Sequence, residues 1–250
     1  MKSTLSALAL AVSLAAPAAA LDLEAMTDTE RALFRQEVRA YLLDNPEVLM
    51  EAIGVLEQRE AAQQADADRQ LAASYREALV NDGHSWVGGN PDGDVTMVEF
   101  MDYRCGYCRR AAPEVDELVA ADGNIRLIIK EFPILGEGSM LSSQFAIAAL
   151  QLHGDDVYKD VHDALLALRG DATEESLAQL ADVMGLDADE IFERMGSDEV
   201  ARIIAENRAL AQQLQISGTP TFVLDDQMLR GYLPLAQMAQ MVDAVRAEDS

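Results

Sequence analysis

Two cysteines, the only two in the chain, stand in the segment Cys105-Gly106-Tyr107-Cys108. The segment follows the apolar run Val95 to Phe100 and precedes a helical pattern that starts at Arg109. A Cys-x-x-Cys pair between a strand and a helix is typical of a redox-active dithiol. On a first helical turn this spacing brings the two Cα atoms to about 5 to 6 Å, which is within the range that a disulfide tolerates.

The two cysteines are expected to play different roles. Cys105 falls at the start of the predicted helix, where unpaired backbone N–H groups and the helix dipole favour the thiolate over the thiol. We therefore predict that Cys105 is the nucleophile, that Cys108 is the resolving thiol, and that the two form a redox-active disulfide.

Two other roles for the pair are weaker alternatives. As a structural disulfide it would close a loop of four residues, which contributes about 2 kcal/mol, against about 4.7 kcal/mol for a loop of 100 residues. A metal site would need two more ligands, and the histidines at 84, 153 and 162 show no paired metal-ligand spacing. We expect neither a metal nor a cofactor.

The pattern around the dithiol predicts the elements that hold it. Val95 to Phe100 is a strand, a helix runs to about Ala121, and Ile125 to Glu131 is a second strand, which together form a βαβ unit. Residues 139–215 are wholly helical in pattern, with breaks at Gly154, Gly170, Gly185 and Gly196 and cap candidates at Asp187 and Ser197. Strands follow at Thr221 to Leu224 and Met228 to Tyr232, and then a final helix from about Pro234 to Ala247.

The start of the chain has the pattern of a secretory signal. Met1-Lys2 precedes an apolar stretch from Leu5 to Ala16, and a small-residue site ends at Ala20, where we predict cleavage. No later stretch is long enough to span a membrane, so no membrane insertion is expected. An oxidising compartment suits an exported dithiol protein, and we predict the periplasm. The net charge of -25 makes nucleic acid an unfavourable partner.

The region after the signal predicts helices. Thr27 and Glu30 have the spacing of a capping box, and Asn45 can cap a second helix that starts at Pro46. If that helix continues to Val80, it is roughly 50 Å long. Across the two helices an apolar patch lies within residues 33–56, and a charged, alanine-rich stretch follows from Glu57 to Gln70. Two readings stay open: the helices pack on the catalytic domain, or they form an oligomerisation arm.

The order of these motifs resembles the DsbA-like branch of the thioredoxin superfamily over residues 85–250. The resemblance rests on the segment from Glu99 to Cys108 and on Gly218-Thr219-Pro220, which precedes the late strands. It implies an α/β thioredoxin fold with a helical insertion and an N-terminal helical extension. It also implies that Pro220 is a cis-proline facing the dithiol, and that the backbone of Thr219 is free to pair with an extended substrate strand.

The resemblance further implies a charged residue buried beneath the dithiol, at the position of Glu99. A buried carboxylate needs a partner, and Lys130 on the neighbouring strand is the nearest candidate in the sequence. Such a pair could relay the proton that Cys108 must lose. The alternative is that Glu99 lies in solvent at the strand edge. The predicted organisation is a signal peptide (1–20), a helical extension (21–84), a thioredoxin domain (85–138 and 216–250) and a helical insertion (139–215).

The direction of the reaction depends on the residues around the dithiol. Gly106 and Tyr107, together with Thr219, resemble the pairing found in DsbC-type isomerases, and the N-terminal region resembles that of ScsC-type members. We therefore predict an oligomeric disulfide isomerase or reductase. Its expected partners are cysteine-containing exported proteins, a membrane redox partner and further copies of itself. The alternatives are a monomeric DsbA-like oxidase and a copper- or zinc-binding protein.

Overall fold

A computed structural model describes residues 25–248 of the chain. The predicted signal peptide, residues 1–20, lies outside the described residues. The chain divides into two compact units between Arg59 and Glu60. Within residues 25–248, none of the helices combines the length and the apolar character needed to cross a bilayer.

The first unit consists of α1 (Asp28–Asp44) and the beginning of α2 (Glu47–Ser74). Thr27 and Glu30 form the predicted capping box at the start of α1. The side-chain amide of Asn45 donates to the carbonyl oxygen of Tyr41 at 2.9 Å. Asn45 therefore caps the end of α1, whereas the sequence had indicated a cap at the start of the second helix. Every described residue of α1 is at least partly exposed, because the short helix has no buried side.

The second unit begins within α2 and includes a short helix, α3 (Arg76–Val80). The helix after Pro46 does not continue to Val80: the backbone leaves the helical conformation at Tyr75, between α2 and α3. Ala72 and Leu79 are fully buried against one face of the sheet. Residues 60–84 thus belong to the same compact unit as the sheet.

A five-stranded sheet forms the centre of the second unit. Its strands are β1 (Trp86–Gly89), β2 (Val95–Met101), β3 (Ile125–Glu131), β4 (Thr221–Leu224) and β5 (Gln227–Arg230). They lie in the order β1-β3-β2-β4-β5, in which only the pair β2 and β3 is parallel. The parallel pair is joined by α4 (Gly106–Asp122), which gives the predicted βαβ unit.

Five helices between β3 and β4 form the insertion, and one helix follows β5. The insertion contains α5 (Glu137–His153), α6 (Asp155–Ala167), α7 (Glu174–Met184), α8 (Ala188–Met195) and α9 (Asp198–Gln213), and the last helix is α10 (Leu235–Glu248). Asp187 and Ser197 cap α8 and α9 through their side chains, as their types predicted. Gly185 ends α7 in the left-handed conformation, at φ 72°, which glycine adopts without strain.

The sheet has a separate hydrophobic core on each face. Because side chains alternate along a strand, Met97 and Met101 of β2 pack in the same core as both cysteines. Val98 and Phe100 pack in the opposite core, together with Leu79. The mixed α/β sheet with its helical insertion confirms the predicted fold class and places the dithiol on one defined face.

Candidate active site

The dithiol lies at the start of α4. Cys105 is the residue that precedes the helix, and Cys108 lies in its first turn. Both cysteines are free thiols; Cys105 is 7% exposed and Cys108 is 1% exposed. Between them, Gly106 is exposed and Tyr107 is 62% exposed. The more accessible sulfur is therefore that of Cys105.

The two thiols have opposite electrostatic environments. A hydrogen bond from the Cys108 thiol is the main cause that lowers the pKa of Cys105, to about 5, and it outweighs the effect of burial. The Thr219 side chain and the backbone N–H groups of Cys108 and Tyr107 lower it further. The same thiol pair, with burial and the charge of Glu99, raises the pKa of Cys108 well above its usual range. Near neutral pH, Cys105 is the thiolate and Cys108 holds its proton.

The loop before β4 faces Cys105. The Thr219–Pro220 peptide bond is cis, and the Cys105 thiol donates to the carbonyl oxygen of Thr219 at 3.1 Å. The neutral Cys105 thiol therefore occupies the carbonyl of Thr219, whose backbone the resemblance implies to be free to pair with a substrate strand. The N–H group of Thr219 makes no hydrogen bond within residues 25–248.

Glu99 lies beneath the dithiol, on the central strand β2. It is 4% exposed, so it is a buried residue and not one at the solvent edge. Burial raises the pKa of its carboxyl to about 8. Negative charges nearby add to this effect, those of Asp116, Cys105 and Glu131. A carboxyl with this pKa can exchange a proton close to neutral pH.

Lys130 is not the partner of Glu99. In the register of β2 and β3, Glu99 lies opposite Ile129, whereas Lys130 lies opposite Phe100 and so on the other face of the sheet. The ammonium group of Lys130 binds the carboxylate of Asp82 and also donates to the carbonyl oxygen of Ala78 at 3.0 Å. Burial alone would raise the pKa of Asp82, but Lys130 lowers it to about 2. Lys130 therefore fixes the chain before β1 to the sheet.

A buried polar cluster on the same face as the dithiol was not predicted. Glu131, 3% exposed, accepts hydrogen bonds from the hydroxyls of Tyr103, Ser143 and Tyr158, each at 2.7 Å. The Tyr103 hydroxyl also lies 3.0 Å from Nδ1 of His162. The one sequence signal was the alternation of side chains, which puts Glu131, two residues after Ile129, on the face of Glu99.

A second unpredicted residue, Asp102, shapes the turn that leads into the dithiol. It is fully buried and accepts hydrogen bonds from the N–H groups of Arg104, Ile134 and Leu135 and from the hydroxyl of Ser139. These bonds tie the turn before Cys105 to the segment between β3 and α5. The Asp102 carbonyl oxygen accepts from the N–H group of Cys105 at 3.0 Å, and the Asp102 backbone also hydrogen-bonds to the Cys108 sulfur, so Asp102 holds both cysteines in place.

An aromatic patch lies on the exposed side of the dithiol. The ring of Tyr107 stacks on that of Tyr232, with 6.4 Å between the centroids. The guanidinium group of Arg110 lies 4.8 Å from the centre of the Tyr232 ring. The Tyr232 hydroxyl donates to Glu114 at 2.6 Å. These contacts hold the side chain of Tyr107, which lies between the two cysteines in sequence, against the protein surface.

Comparison with protein families identifies the catalytic unit. The model of the DSBA-like thioredoxin domain matches residues 96–243, which is more than half of the chain. The chain belongs to the DsbA-like thioredoxin family. Residues 30–63 of this DsbA-like protein match the model of the copper resistance protein ScsC N-terminal domain, and this segment includes most of α1 and the first half of α2.

Solved structures agree with this assignment. The DsbA-like chain is 44% identical to a thioredoxin-like oxidoreductase from Silicibacter pomeroyi, with a TM-score of 0.65, and the match covers 69% of this chain and 98% of the other. It is 27% identical to Proteus mirabilis ScsC in a transitional conformation, with a TM-score of 0.65 and coverage of 91% of this chain and 100% of the other.

Curated relatives include proteins that are much longer. A Na(+)/H(+) antiporter NhaA 1 of Salinispora arenicola is 31% identical over 162 residues, which are 64% of this DsbA-like chain and 24% of the antiporter. The chain thus spans about a quarter of the length of that relative.

Proposed function

We propose that this protein is a thiol-disulfide oxidoreductase that acts on cysteines of exported proteins. The observation that carries the proposal is the environment of Cys105, whose thiolate is stabilised by a neighbouring thiol and by backbone N–H groups at the start of α4. A thiolate is the form that attacks a disulfide. The two cysteines and the cis-proline loop meet at one edge of the sheet, which supports their joint role.

The reaction is a sequence of thiol-disulfide exchanges. The Cys105 thiolate attacks a substrate disulfide, a Cys105–substrate disulfide forms, and one substrate thiolate leaves. The Cys108 thiolate then attacks the Cys105 sulfur, the Cys105–Cys108 disulfide forms, and the second substrate thiolate leaves. The substrate gains two electrons and the dithiol loses two. In isomerisation a substrate thiolate makes the second attack, so the dithiol is regenerated without a net redox change.

The surface around Cys105 suits an extended substrate segment. The free N–H group of Thr219 is available to a carbonyl group of a substrate strand, in the manner of strand addition. Pro220 has no N–H group that would compete. As a thiolate or in a mixed disulfide, Cys105 has no proton to donate, so the Thr219 carbonyl is then available to a substrate N–H group. Gly106 leaves the approach to the sulfur open.

Glu99 is proposed to accept the proton of Cys108. Cys108 must become a thiolate before it can attack, and its high pKa makes this step slow without a base. Glu99 is the buried carboxyl whose charge acts on Cys108. In Glu99→Gln we expect the resolving step to slow near neutral pH and to shift its pH dependence upward, as measured by rapid-mixing thiol release. An unchanged pH profile would remove Glu99 from the mechanism.

The first unit supports the proposal of an oligomerisation arm. Ten large apolar side chains within residues 25–59 are exposed: Leu33, Phe34, Val38, Tyr41, Leu43, Leu49, Met50, Ile53, Val55 and Leu56. Between α1 and α2 they form a groove of about 420 Å³ lined by Phe34, Val38 and Leu49, among others. An apolar surface of this kind needs a partner, and we propose that further copies of the chain cover it.

Oligomerisation would favour isomerisation over simple oxidation. Several dithiols in one assembly keep a misfolded substrate at high effective concentration after the first attack. We therefore propose a disulfide isomerase or reductase in the periplasm that works with a membrane redox partner. The alternative is a monomeric oxidase, in which Cys105–Cys108 starts as the disulfide and a substrate thiolate attacks it.

A role in copper or zinc binding is the second alternative. It is favoured by the match of residues 30–63 to the ScsC N-terminal domain, whose description names copper resistance, and by the soft ligands of the dithiol. Within residues 25–248, no three His, Cys, Asp or Glu side chains are grouped closely enough to hold a metal ion. Reduced protein that stays free of metal after incubation with Cu(I) would dispose of this alternative.

The deciding experiment combines light scattering with the rescue of scrambled ribonuclease. The full chain is compared with Val55→Glu, which places a charge in the apolar surface of the first unit. Val183→Glu is the matched control, since Val183 is 84% exposed in the catalytic unit. An oligomer with isomerase activity that only Val55→Glu disrupts would support the arm. A monomer that oxidises reduced substrate but rescues no scrambled ribonuclease would leave the oxidase.

A further inference from the structure

Glu131 forms the centre of a buried hydrogen-bond cluster that the exchange mechanism has not used. Its Oε1 atom accepts from the hydroxyls of Tyr103 and Tyr158, and its Oε2 atom accepts from Ser143. The donors come from three places: the turn before the dithiol, α5 and α6. Three neutral hydroxyls that all point at one carboxyl group satisfy the ionised form, which accepts hydrogen bonds and donates none.

The protonated form of Glu131 also has a place in this cluster. The Tyr103 hydroxyl lies 2.7 Å from the Glu131 carboxyl and 3.0 Å from Nδ1 of His162. Burial lowers the pKa of His162 to about 4, so its ring is neutral near pH 7. When Glu131 carries a proton, it can donate to the Tyr103 oxygen while Tyr103 donates to Nδ1 of the His162 tautomer that carries its proton on Nε2. When Glu131 is ionised, the other neutral tautomer can donate from Nδ1 to the Tyr103 oxygen. Both protonation states are thus satisfied, and Glu131 can titrate without breaking the cluster.

The strand register brings Glu131 and Glu99 to the same face of the sheet. Glu99 lies opposite Ile129 and Met101 lies opposite Glu131, and alternate residues of a strand share a face. The charged and titratable groups that interact with Glu99 are Asp116, Cys105, Cys108, Glu131 and Tyr158. Those around Glu131 are Asp102, Tyr103, Tyr158 and His162, with Asp163 and Lys159 acting on His162. Among residues 25–248, the main groups that act on the two carboxyls include no cation.

We infer that Glu131 is a positioning residue for the exchange reaction: its hydrogen-bonded carboxylate delays the ionisation of Glu99 and so sets the pH at which Glu99 can accept the proton of Cys108. This inference rests on the proposed function. Two buried carboxyls without a cation repel each other when both are ionised. Glu131 ionises first, because three hydroxyls stabilise its anion and no described side chain donates to Glu99.

The acidities of the two groups agree with this order. Burial raises the pKa of Glu131 to about 7, against the lowering effect of its three hydroxyl donors. The pKa of Glu99 is raised to about 8, in part by the charge of Glu131. The two carboxyls therefore titrate as a coupled pair. A Glu99 carboxylate that forms later is a stronger base, which suits a thiol as weakly acidic as Cys108.

The proton and electron balance of the step involves Glu131 only through its charge. Glu99 takes the proton of the Cys108 thiol, and the thiolate attacks the Cys105 sulfur of the mixed disulfide. The Cys105–Cys108 bond forms, the bond from Cys105 to the substrate breaks, and the electron pair leaves on the substrate sulfur. Glu99 afterwards returns its proton to solvent. Glu131 ends the step unchanged.

The test follows the reaction of the reduced full chain with one equivalent of dithiobis(nitrobenzoate). Attack by Cys105 releases the first thionitrobenzoate, and attack by Cys108 on the mixed disulfide releases the second. The rate of the second release is measured as a function of pH in the wild type, Glu131→Gln, Glu99→Gln and the double variant. Cys108→Ser, which can release only the first thionitrobenzoate, identifies the second phase.

We expect the midpoint of the second phase to fall by about 1 pH unit in Glu131→Gln, because Glu99 ionises earlier without the neighbouring charge. The first phase should keep its midpoint, since both carboxyls hold their protons where Cys105 titrates. In the Glu99→Gln background, Glu131→Gln should have no further effect. An unshifted second phase in Glu131→Gln, or an equal shift in both backgrounds, would overturn the inference.

A second measurement covers the case in which Glu131→Gln does not fold. Infrared titration of the buried carboxyls in the wild type and in Ser143→Ala tests the same order. Ser143→Ala removes one donor to the Glu131 carboxylate, so Glu131 should ionise at a higher pH and Glu99, which then meets less negative charge, at a lower pH than in the wild type. A Glu99 midpoint that does not move would refute the coupling. If the wild type releases no second thionitrobenzoate, the proposed function fails. If the second release occurs but its pH midpoint does not depend on Glu131, only the present inference fails.

Discussion

The hydrogen bond between the two thiols leads to a specific prediction for the pKa of Cys105. It is the largest of the causes that lower the pKa of Cys105, to about 5. A hydrogen bond to a charged group contributes about 1.5 to 3 kcal/mol, and one pKa unit corresponds to about 1.36 kcal/mol. In Cys108→Ala we therefore expect the thiolate titration of Cys105 to move upward by about 1 to 2 pH units. The backbone N–H donors remain in this variant, so part of the lowering should persist.

Cys108→Ser is the matched control, because its hydroxyl can still donate to the Cys105 sulfur. The assay is the ultraviolet absorbance of the thiolate as a function of pH, and a second readout is the rate of alkylation by iodoacetamide. Both report Cys105 alone below strongly alkaline pH, since Cys108 titrates far higher. If the Ala and Ser variants titrate at the same pH, the hydrogen bond between the thiols is not the cause.

The same pKa fixes how the stability of the reduced protein depends on pH. The folded-state pKa of Cys105 lies below the value of about 8.5 for an unfolded thiol. The thiolate therefore stabilises the reduced fold fully above about pH 8.5, and this contribution is lost as the pH falls towards about 5. Denaturant unfolding of the reduced wild type should show a free energy of unfolding that decreases as the pH falls across this range. The decrease should be smaller in Cys108→Ala.

Two further predictions test ion pairs on the opposite side of the sheet. Lys130→Met should lower the free energy of unfolding by about 3 kcal/mol or more, because the partly buried Asp82 loses its cation. The pH titration of Cys105 should stay unchanged, since Lys130 lies on the other face of the sheet. A shifted titration would contradict that placement. Asp68→Ala should cost about 1 to 3 kcal/mol in urea unfolding, because Asp68 is 5% exposed and binds Arg230 at 2.7 Å; an unchanged midpoint would show that this pair is not stabilising.

Local signals in the sequence were enough to predict the elements around the dithiol. The strand predicted from Ile125 to Glu131 and the strand from Thr221 to Leu224 have the same bounds in the structure. Each is a short apolar run bounded by residues that favour turns. The last strand was placed at Met228 to Tyr232 but spans Gln227–Arg230, because its partly exposed residues give a weaker pattern.

Other features could not be predicted from the sequence. The end of α2 near Tyr75 carries no glycine or proline and is set by the packing of Leu79 on the sheet. The cluster around Glu131 joins Tyr103 to Tyr158 and His162, which are more than fifty residues away along the chain. Its existence depends on how α6 packs against the turn before the dithiol, and no local pattern contains that information.

The charges near the dithiol depend on which of two neighbouring positions in β3 carries the lysine and which carries the glutamate. Lys130 and Glu131 are adjacent in β3, so their side chains leave the sheet on opposite faces. The cation therefore stabilises the chain near Asp82, and the carboxyl joins Glu99 beneath the dithiol. With the positions reversed, a lysine would face Glu99 and hold it ionised at neutral pH. Within residues 25–248 the observed order leaves the two carboxyls without a cation, so burial and their mutual repulsion raise the pKa of Glu99. On our proposal, this makes Glu99 basic enough to accept the proton of Cys108.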